Sequence, residues 1–305
     1  MTRVAAIDCG TNSVRLLIAD IGDGKLVDVE RRMEIVRLGQ GVDQTGMLAP
    51  EALERTFAAM RGYAKLIVDH GADKVRVVAT SATRDAGNRA DFVSGVVEIF
   101  GVVPEVVSGH EEAELSFVGV TKDLVELRPL RPYLVVDIGG GSTEFVVGSS
   151  HVQAAKSVDI GCVRMTERHL QSDPPTPDQF AAAVADIDAA LAKVRETVPV
   201  DEARTLVGLA GSVTTVAGMA LDLPEYDPAR IHLSRITAER VHGVTRRLLH
   251  STRAERAAIG VMHPGRVDVI GAGALILDRI MREYNFGAVV VSEHDILDGI
   301  AWSLV

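Results

Sequence analysis

Ala5-Ala6-Ile7-Asp8-Cys9-Gly10-Thr11-Asn12-Ser13, near the N-terminus, and Val135-Val136-Asp137-Ile138-Gly139-Gly140-Gly141-Ser142, further along, follow one pattern. In each, an apolar run carries an aspartate at its end, a glycine-bearing turn follows, and a second apolar run starts after a serine. Laid over one another, Asp8, Gly10 and Ser13 meet Asp137, Gly139 and Ser142. Acid, glycine and serine in register at the head of each half mark a duplicated domain. A chain of 305 residues is too long for one ordinary core and suits two domains.

Working outward from the turns, 4–7 and 14–19 read as strands around the first, and 133–136 and 143–147 around the second. A third strand is expected within 26–36. Pro50 opens a helix with Leu53, Phe57, Met60, Ala64 and Ile67 at helical spacing. Further strands are expected at 75–79, 103–107, 206–209 and 288–291. Helices are expected at 91–100, from Glu111, and at 179–198, 237–249, 266–284 and 295–303. Between 121 and 132 the pattern loosens through Lys122-Asp123, Glu126, Arg128-Pro129 and Arg131-Pro132, so the boundary is placed there, with domains 1–124 and 125–305. Ser172-Asp173-Pro174-Pro175-Thr176-Pro177 reads as a loop ending in a helix start. The fold class expected is α/β: two duplicated domains with an interdomain cleft.

The turns have a chemical meaning. Glycine lets the chain fold tightly with no side chain in the way, and successive amides then point into one concavity that suits an anion. Two such turns could hold two neighbouring phosphates through Gly10, Thr11, Asn12 and Ser13 on one side and Gly139, Gly140, Gly141, Ser142 and Thr143 on the other. Asp8 and Asp137 would repel phosphate, so a divalent cation between acid and phosphate is expected. Gly211 and Ser212 resemble a further loop at a helix start, where amides could take a phosphate.

Composition narrows the class. The net charge of −10 argues against broad nucleic-acid binding by a basic surface. Two cysteines in apolar or glycine-rich company, Cys9 and Cys162, argue against a disulfide framework and for a reducing, cytoplasmic setting. Cys9 reads as packing rather than as a nucleophile. No signal segment and no apolar run of membrane-spanning length is visible, so no membrane partner is expected. His110 beside two acids has no second histidine at ligand spacing. Arg31-Arg32 and Arg246-Arg247 read as solvated faces.

Asp8-Cys-Gly-Thr-Asn-Ser-Val-Arg15, Ser108-Gly-His-Glu-Glu-Ala113 and Asp137-Ile-Gly-Gly-Gly-Ser-Thr-Glu144, in that order, resemble the exopolyphosphatase and guanosine pentaphosphate phosphohydrolase family of the actin, heat-shock and sugar-kinase superfamily. The likeness continues through 79–84, 160–164, 208–215 and 266–273. It implies duplicated actin-like (ribonuclease H-like) domains and a phosphoanhydride hydrolase whose catalytic acids are Glu112, as general base, and Glu111, with Arg15 and Arg84 on phosphate oxygens. It further implies Mg²⁺ or Mn²⁺ near Asp137, Asp8 and Glu144, and a homodimer. The substrate implied is inorganic polyphosphate, with guanosine pentaphosphate (pppGpp) as the alternative; a kinase of the same superfamily or a silent polyphosphate sensor are rivals. Longer relatives carry further helical domains, and many have an Arg-Glu pair where this chain has Leu297-Asp298-Gly299, so short polyphosphates are the expected substrate.

Overall fold

The computed structural model describes residues 1–127 and 129–305, without the side chains of Asp123, Val125 and Glu126. Arg128, part of the stretch chosen for the boundary, lies outside the described residues. The chain forms two units, Met1–Val120 with Asp295–Val305, and Thr121–His294.

In the first unit, β1 (Thr2–Cys9), β2 (Ser13–Gly22) and β3 (Lys25–Ile35) make an antiparallel meander. A short α1 (Val42–Thr45) leads to α2 (Pro50–His70), which starts on a proline and stops at Gly71 in the left-handed region. Then come β4 (Lys74–Ala79), α3 (Ser81–Asp85), α4 (Arg89–Phe100), β5 (Glu105–Val106) and α5 (Gly109–Leu127). The sheet order is β3-β2-β1-β4-β5, with β1, β4 and β5 parallel.

The second unit repeats this plan. β6 (Tyr133–Ile138), β7 (Thr143–Gly148) and β8 (Val152–Val158) form the meander, followed by α6 (Cys162–His169) and α7 (Pro177–Arg195). β9 (Thr205–Leu209) runs into α8 (Ala210–Ala220) and α9 (Pro228–Ile231). β10 (Arg235–Thr237), α10 (Ala238–His250), α11 (Arg253–Ala257), α12 (Ile270–Glu283) and β11 (Ala288–Val291) complete it. With order β10-β11-β9-β6-β7-β8, strands β6, β7, β8, β9 and β11 stand where β1 to β5 stand in the first unit, and β10 adds an antiparallel edge. Even the irregularity repeats. Pairing shifts between Ile18 and Ala19 in β2 and between Val147 and Gly148 in β7, at the same remove from each turn. The duplication read from the turns is a property of whole sheets.

Strand periodicity decides what each face does. In β1 and β2, Ala5, Ile7, Cys9, Leu16 and Ile18 join the core that includes Met60, Tyr63, Phe92 and Val96 of α2 and α4. Val4, Ala6, Leu17 and Ala19 point the other way and meet Ile296, Leu297, Ile300 and Ala301 of α13 (Ile296–Trp302).

The last helix therefore belongs with the first unit, which a division into consecutive halves does not anticipate. The apolar stripe of 296–301 is visible in the sequence; which sheet it covers is not. Residues 121–127, expected to loosen, continue α5, with Leu124 buried and Lys122 exposed. The strand expected over 103–107 narrows to Glu105–Val106, and the helix expected from 266 is regular only from Ile270, after a 3₁₀ turn at Pro264–Arg266. Arg31 is not simply a solvated residue. Its guanidinium pairs with the buried Asp298 at 2.5 Å and with Asp28 at 2.7 Å.

Candidate active site

Asp8 follows Val4 and Ala6 on the α13 face of the first sheet, and the hairpin register sets Arg15 opposite it. Arg15 Nε and Nη2 donate to Asp8 Oδ2 at 2.9 and 2.7 Å, and Nη1 donates to Asp295 Oδ2. The other oxygen of Asp295 caps α13 by accepting from the Leu297 amide at 3.0 Å. One guanidinium is thus shared by two carboxylates. Burial pushes the Asp8 carboxyl up in spite of Arg15. Asp295 is as deeply buried, yet Arg15 and the Leu297 amide hold it below the usual carboxylate range. Asp8 is 3% exposed, and its Oδ1 has no hydrogen-bond partner among the described residues. Arg15, expected to reach phosphate, has its charge committed within the first unit.

In the second unit the register sets Glu144, not arginine, opposite Asp137. Both are buried. Glu144 Oε1 accepts from Ser142 Oγ at 2.6 Å and from Ser157 Oγ at 2.8 Å. Thr143 Oγ1 donates to the Ile160 carbonyl, so its hydroxyl is engaged in the fold. Two acids on neighbouring strands form an oxygen-rich site that could hold a hard divalent cation.

The turns are built alike. Gly10 N donates to Ser13 O, and Gly139 N to Ser142 O, each at 3.0 Å. The turn carbonyls are drawn inward: Thr11 O accepts from Gly39 N, and Asn12 O from Val36 N and Arg37 N. In the second unit, Gly139 O accepts from Cys162 N, and Gly140 O from Val163 N and Arg164 N, while Arg164 Nε reaches Gly141 O at 2.7 Å. Gly161 permits this approach, since a Cβ there would lie 2.2 Å from Gly140 O. In a trans peptide the N–H points opposite to the C=O. The amides of Asn12, Gly140 and Gly141 therefore face away from these segments, and none has a protein acceptor among the described residues. Unengaged amides in a turn are what an anion requires.

A second pair of loops is duplicated as well. Val78 pairs with Asp8 as Leu209 pairs with Asp137, so Ala79-Thr80-Ser81 corresponds to Ala210-Gly211-Ser212. Ser81 Oγ lies 2.8 Å from Thr11 Oγ1 and ties this loop to the first turn. A Cβ at Gly211 would fall 2.1 Å from the Arg266 guanidinium, so that long side chain would have to move aside for it. Sequence reasoning singled out both segments and missed that they are equivalents; the shared Ala-x-Ser was the available signal. Asp295 was missed too, although Asp295 and Asp298 spell a capping box.

Glu111 and Glu112 separate cleanly. Ser108 N and Oγ each donate to Glu111 Oε2 at 2.8 Å, while Glu111 N donates to Ser108 Oγ, which closes a capping box at the start of α5. Glu111 is exposed and structural in its contacts, unlike the catalytic place expected for it. Glu112 is 8% exposed, and its Oε2 accepts from Arg84 Nη1 at 3.0 Å. The same nitrogen donates to the Val107 carbonyl at 3.0 Å, so Arg84 orients Glu112.

Cys9 and Cys162 are buried, and burial pushes both thiols up, so neither is a ready thiolate. Exposed His110 lies 3.5 Å from Glu114. Among the described residues no three His, Cys, Asp or Glu side chains cluster closely enough for an all-protein metal cage. The acids at the turns fit a cation that takes its remaining ligands from phosphate and water. No helix among them is long and apolar enough to cross a membrane.

Two copies of one five-strand plan, each with an acid and a glycine turn at the same strand ends, define an α/β protein of the actin-like class. The chain belongs to the Ppx/GppA phosphatase family, which matches residues 17–305. It is 51% identical to Exopolyphosphatase 2 of Mycobacterium tuberculosis, over all of this chain and 99% of that protein. The crystal structure of an exopolyphosphatase-like protein superposes with a TM-score of 0.96 at 45% identity, covering 99% of this chain and 97% of the other. An Aquifex aeolicus PPX-GPPA enzyme gives 0.83 at 33% identity over 99% of each chain.

Proposed function

We propose that the protein is an exopolyphosphatase that releases terminal orthophosphate from inorganic polyphosphate, with short chains preferred. The observation that carries the reading is the pair of matched turns, each with amides turned away from the fold and an aspartate at the same place beside them. In this reading the turn amides take phosphate oxygens, and Gly211 and Ser212 supply a further contact. Glu112 orients the attacking water and takes its proton, held by Arg84, while Glu111 secures the helix start. A divalent cation would be held chiefly by Asp137, with Glu144 beside it; in the first turn the unpartnered Oδ1 of Asp8 is an oxygen of the same kind. When bound it offsets the charge on the phosphoanhydride oxygens. Positioning and charge stabilisation carry most of phosphoryl transfer, so a covalent nucleophile is not required. Arg15 keeps Asp8 in place and does not itself grip phosphate.

Mg²⁺ or Mn²⁺, a homodimer and a cytoplasmic setting belong to this reading. Guanosine pentaphosphate remains the second substrate, since turn amides that read phosphate oxygens do not distinguish a free chain from one ending in a nucleoside. A phosphate-release panel over short polyphosphate, long polyphosphate, guanosine pentaphosphate and ATP tests it. Release from polyphosphate without added nucleotide is expected. Release from guanosine pentaphosphate alone would reverse the order of substrates, and no release from any would leave a sensor.

A further inference from the structure

The Pro-rich loop before α7 forms one wall of a cavity of about 380 Å³ in the second unit, closed by α10 and α12. Its size is that of a small-molecule site. None of its lining residues belongs to the turns or loops described above. Pro174, Pro175, Pro177, Phe180, Leu249 and Leu275 make the wall apolar, and Phe180 is 41% exposed although it is a large aromatic.

The polar lining is one-sided. His242, Arg246 and His250 stand four residues apart along α10 and line up on one face. Arg246 is exposed, and its guanidinium has no carboxylate partner among the described residues. His250 Nδ1 donates to the Arg246 carbonyl at 2.7 Å, which leaves its Nε2 for another contact. Nδ1 of His242 lies against Arg282 and 3.4 Å from Asp278 Oδ2, which leaves its Nε2 for another contact. The one acid of the lining, Asp278, is matched by Arg282 Nε at 3.0 Å. Thr176 and Pro177 bring the positive end of the 19-residue α7 to the same cavity.

The wall is held open rather than ready to collapse. Asp173 accepts from Arg253 N at 2.8 Å and from Arg256 Nη2 at 3.0 Å. Gln179 Oε1 accepts from Ser172 N and Thr176 N, each at 3.2 Å. Proline fixes φ at three of the lining positions. A preformed pocket loses little free energy to ordering when a ligand enters.

We propose that this cavity binds a small amphipathic anion, an apolar body ending in a carboxylate or phosphate, with the body against Phe180 and the prolines and the charged end on Arg246 and the α10 histidines. The site is separate from the phosphate turns and does not depend on the function proposed above.

Calorimetric titration with octanoate tests it, with 1-octanol and inorganic phosphate as single-feature controls. One octanoate per chain is expected, with 1-octanol and phosphate each at least tenfold weaker, and short polyphosphate failing to displace it. Arg246→Glu, on an exposed position, should weaken octanoate at least tenfold without changing the melting curve, and Phe180→Ala should weaken it too. Absence of saturable octanoate binding, equal binding by both variants, or displacement by short polyphosphate would each overturn the proposal. So would pelleting with anionic vesicles in the absence of octanoate binding, which would make the patch a membrane surface.

Discussion

Glu111 and Glu112 are sequence neighbours about 100° apart around one helix, and that angle divides their work. Glu112→Gln keeps the shape and removes the base, so turnover should fall by roughly 10²–10⁴ with KM nearly unchanged. Glu111→Gln can still accept from Ser108 and should leave turnover close to normal; equal small losses in both would remove Glu112 from the chemistry. Glu111 carries a pH signature instead. The Ser108 amide and then its hydroxyl hold its carboxyl below the usual carboxylate range. A depressed folded value means that the stabilisation is present above the unfolded pKa and is lost as pH falls through the folded one. The gap in denaturation midpoint between wild type and Glu111→Ala should therefore be open at pH 7 and closed in strong acid. At the turns, the partner across the hairpin decides the role: arginine already neutralises Asp8, whereas Asp137 faces another acid. Asp137→Asn should raise the metal concentration needed for half-maximal activity more than Asp8→Asn does, and an unchanged metal titration in Asp137→Asn would place the ion elsewhere.

Among the elements, α5 and α13 pass close enough to demand glycine on both. A Cβ at Gly119 would lie 1.9 Å from the Asp295 carbonyl oxygen, and one at Gly299 2.0 Å from that of Leu115. The obstacle is backbone in each case and cannot rotate aside. Gly119→Ala or Gly299→Ala should cost about 1–3 kcal/mol, and turnover should fall with stability, because α5 carries Glu112 and α13 carries the Asp295 that holds Arg15. Gly62→Ala is the control: it lies in α2 with nothing within 4 Å of the added carbon, and should stabilise by about 0.5–1 kcal/mol. If all three variants melted alike, the close crossing would not exist in solution. Elements of this kind show how far the sequence could be read. Strand, turn and strand around Asp8 and Asp137 were legible because alternation and glycine act locally. The short β10, the return of α13 to the first sheet and the capture of Arg15 by Asp295 were not, since each depends on which distant surface an apolar stripe or a charge meets. Glu112 is singled out by resemblance alone, and the capping box that sets Glu111 apart is already spelled in Ser108-Gly109-His110-Glu111.

For the whole molecule, charge sets how a polyanion is handled. The chain carries a formal −10, and the groups proposed to receive phosphate are a few turn amides rather than a path of lysines and arginines. Each phosphate beyond those turns therefore adds little attraction and meets an acidic surface, whose repulsion reaches about 30 Å at 0.01 M salt but only about 8 Å at 0.15 M. An enzyme of this kind should let go after each cut. Sizing the products of a long polymer during digestion separates the two modes: release after each cut shortens the whole population gradually. Raising the salt from 0.01 to 0.15 M should also lower KM for long chains more than for short ones, because only the long ones extend over the repelling surface. Full-length chains persisting beside free phosphate, with no intermediate lengths and no such salt effect, would mean that the polymer is gripped well beyond the turns, and would place an unrecognised run of donors on a surface whose net charge gives no sign of one.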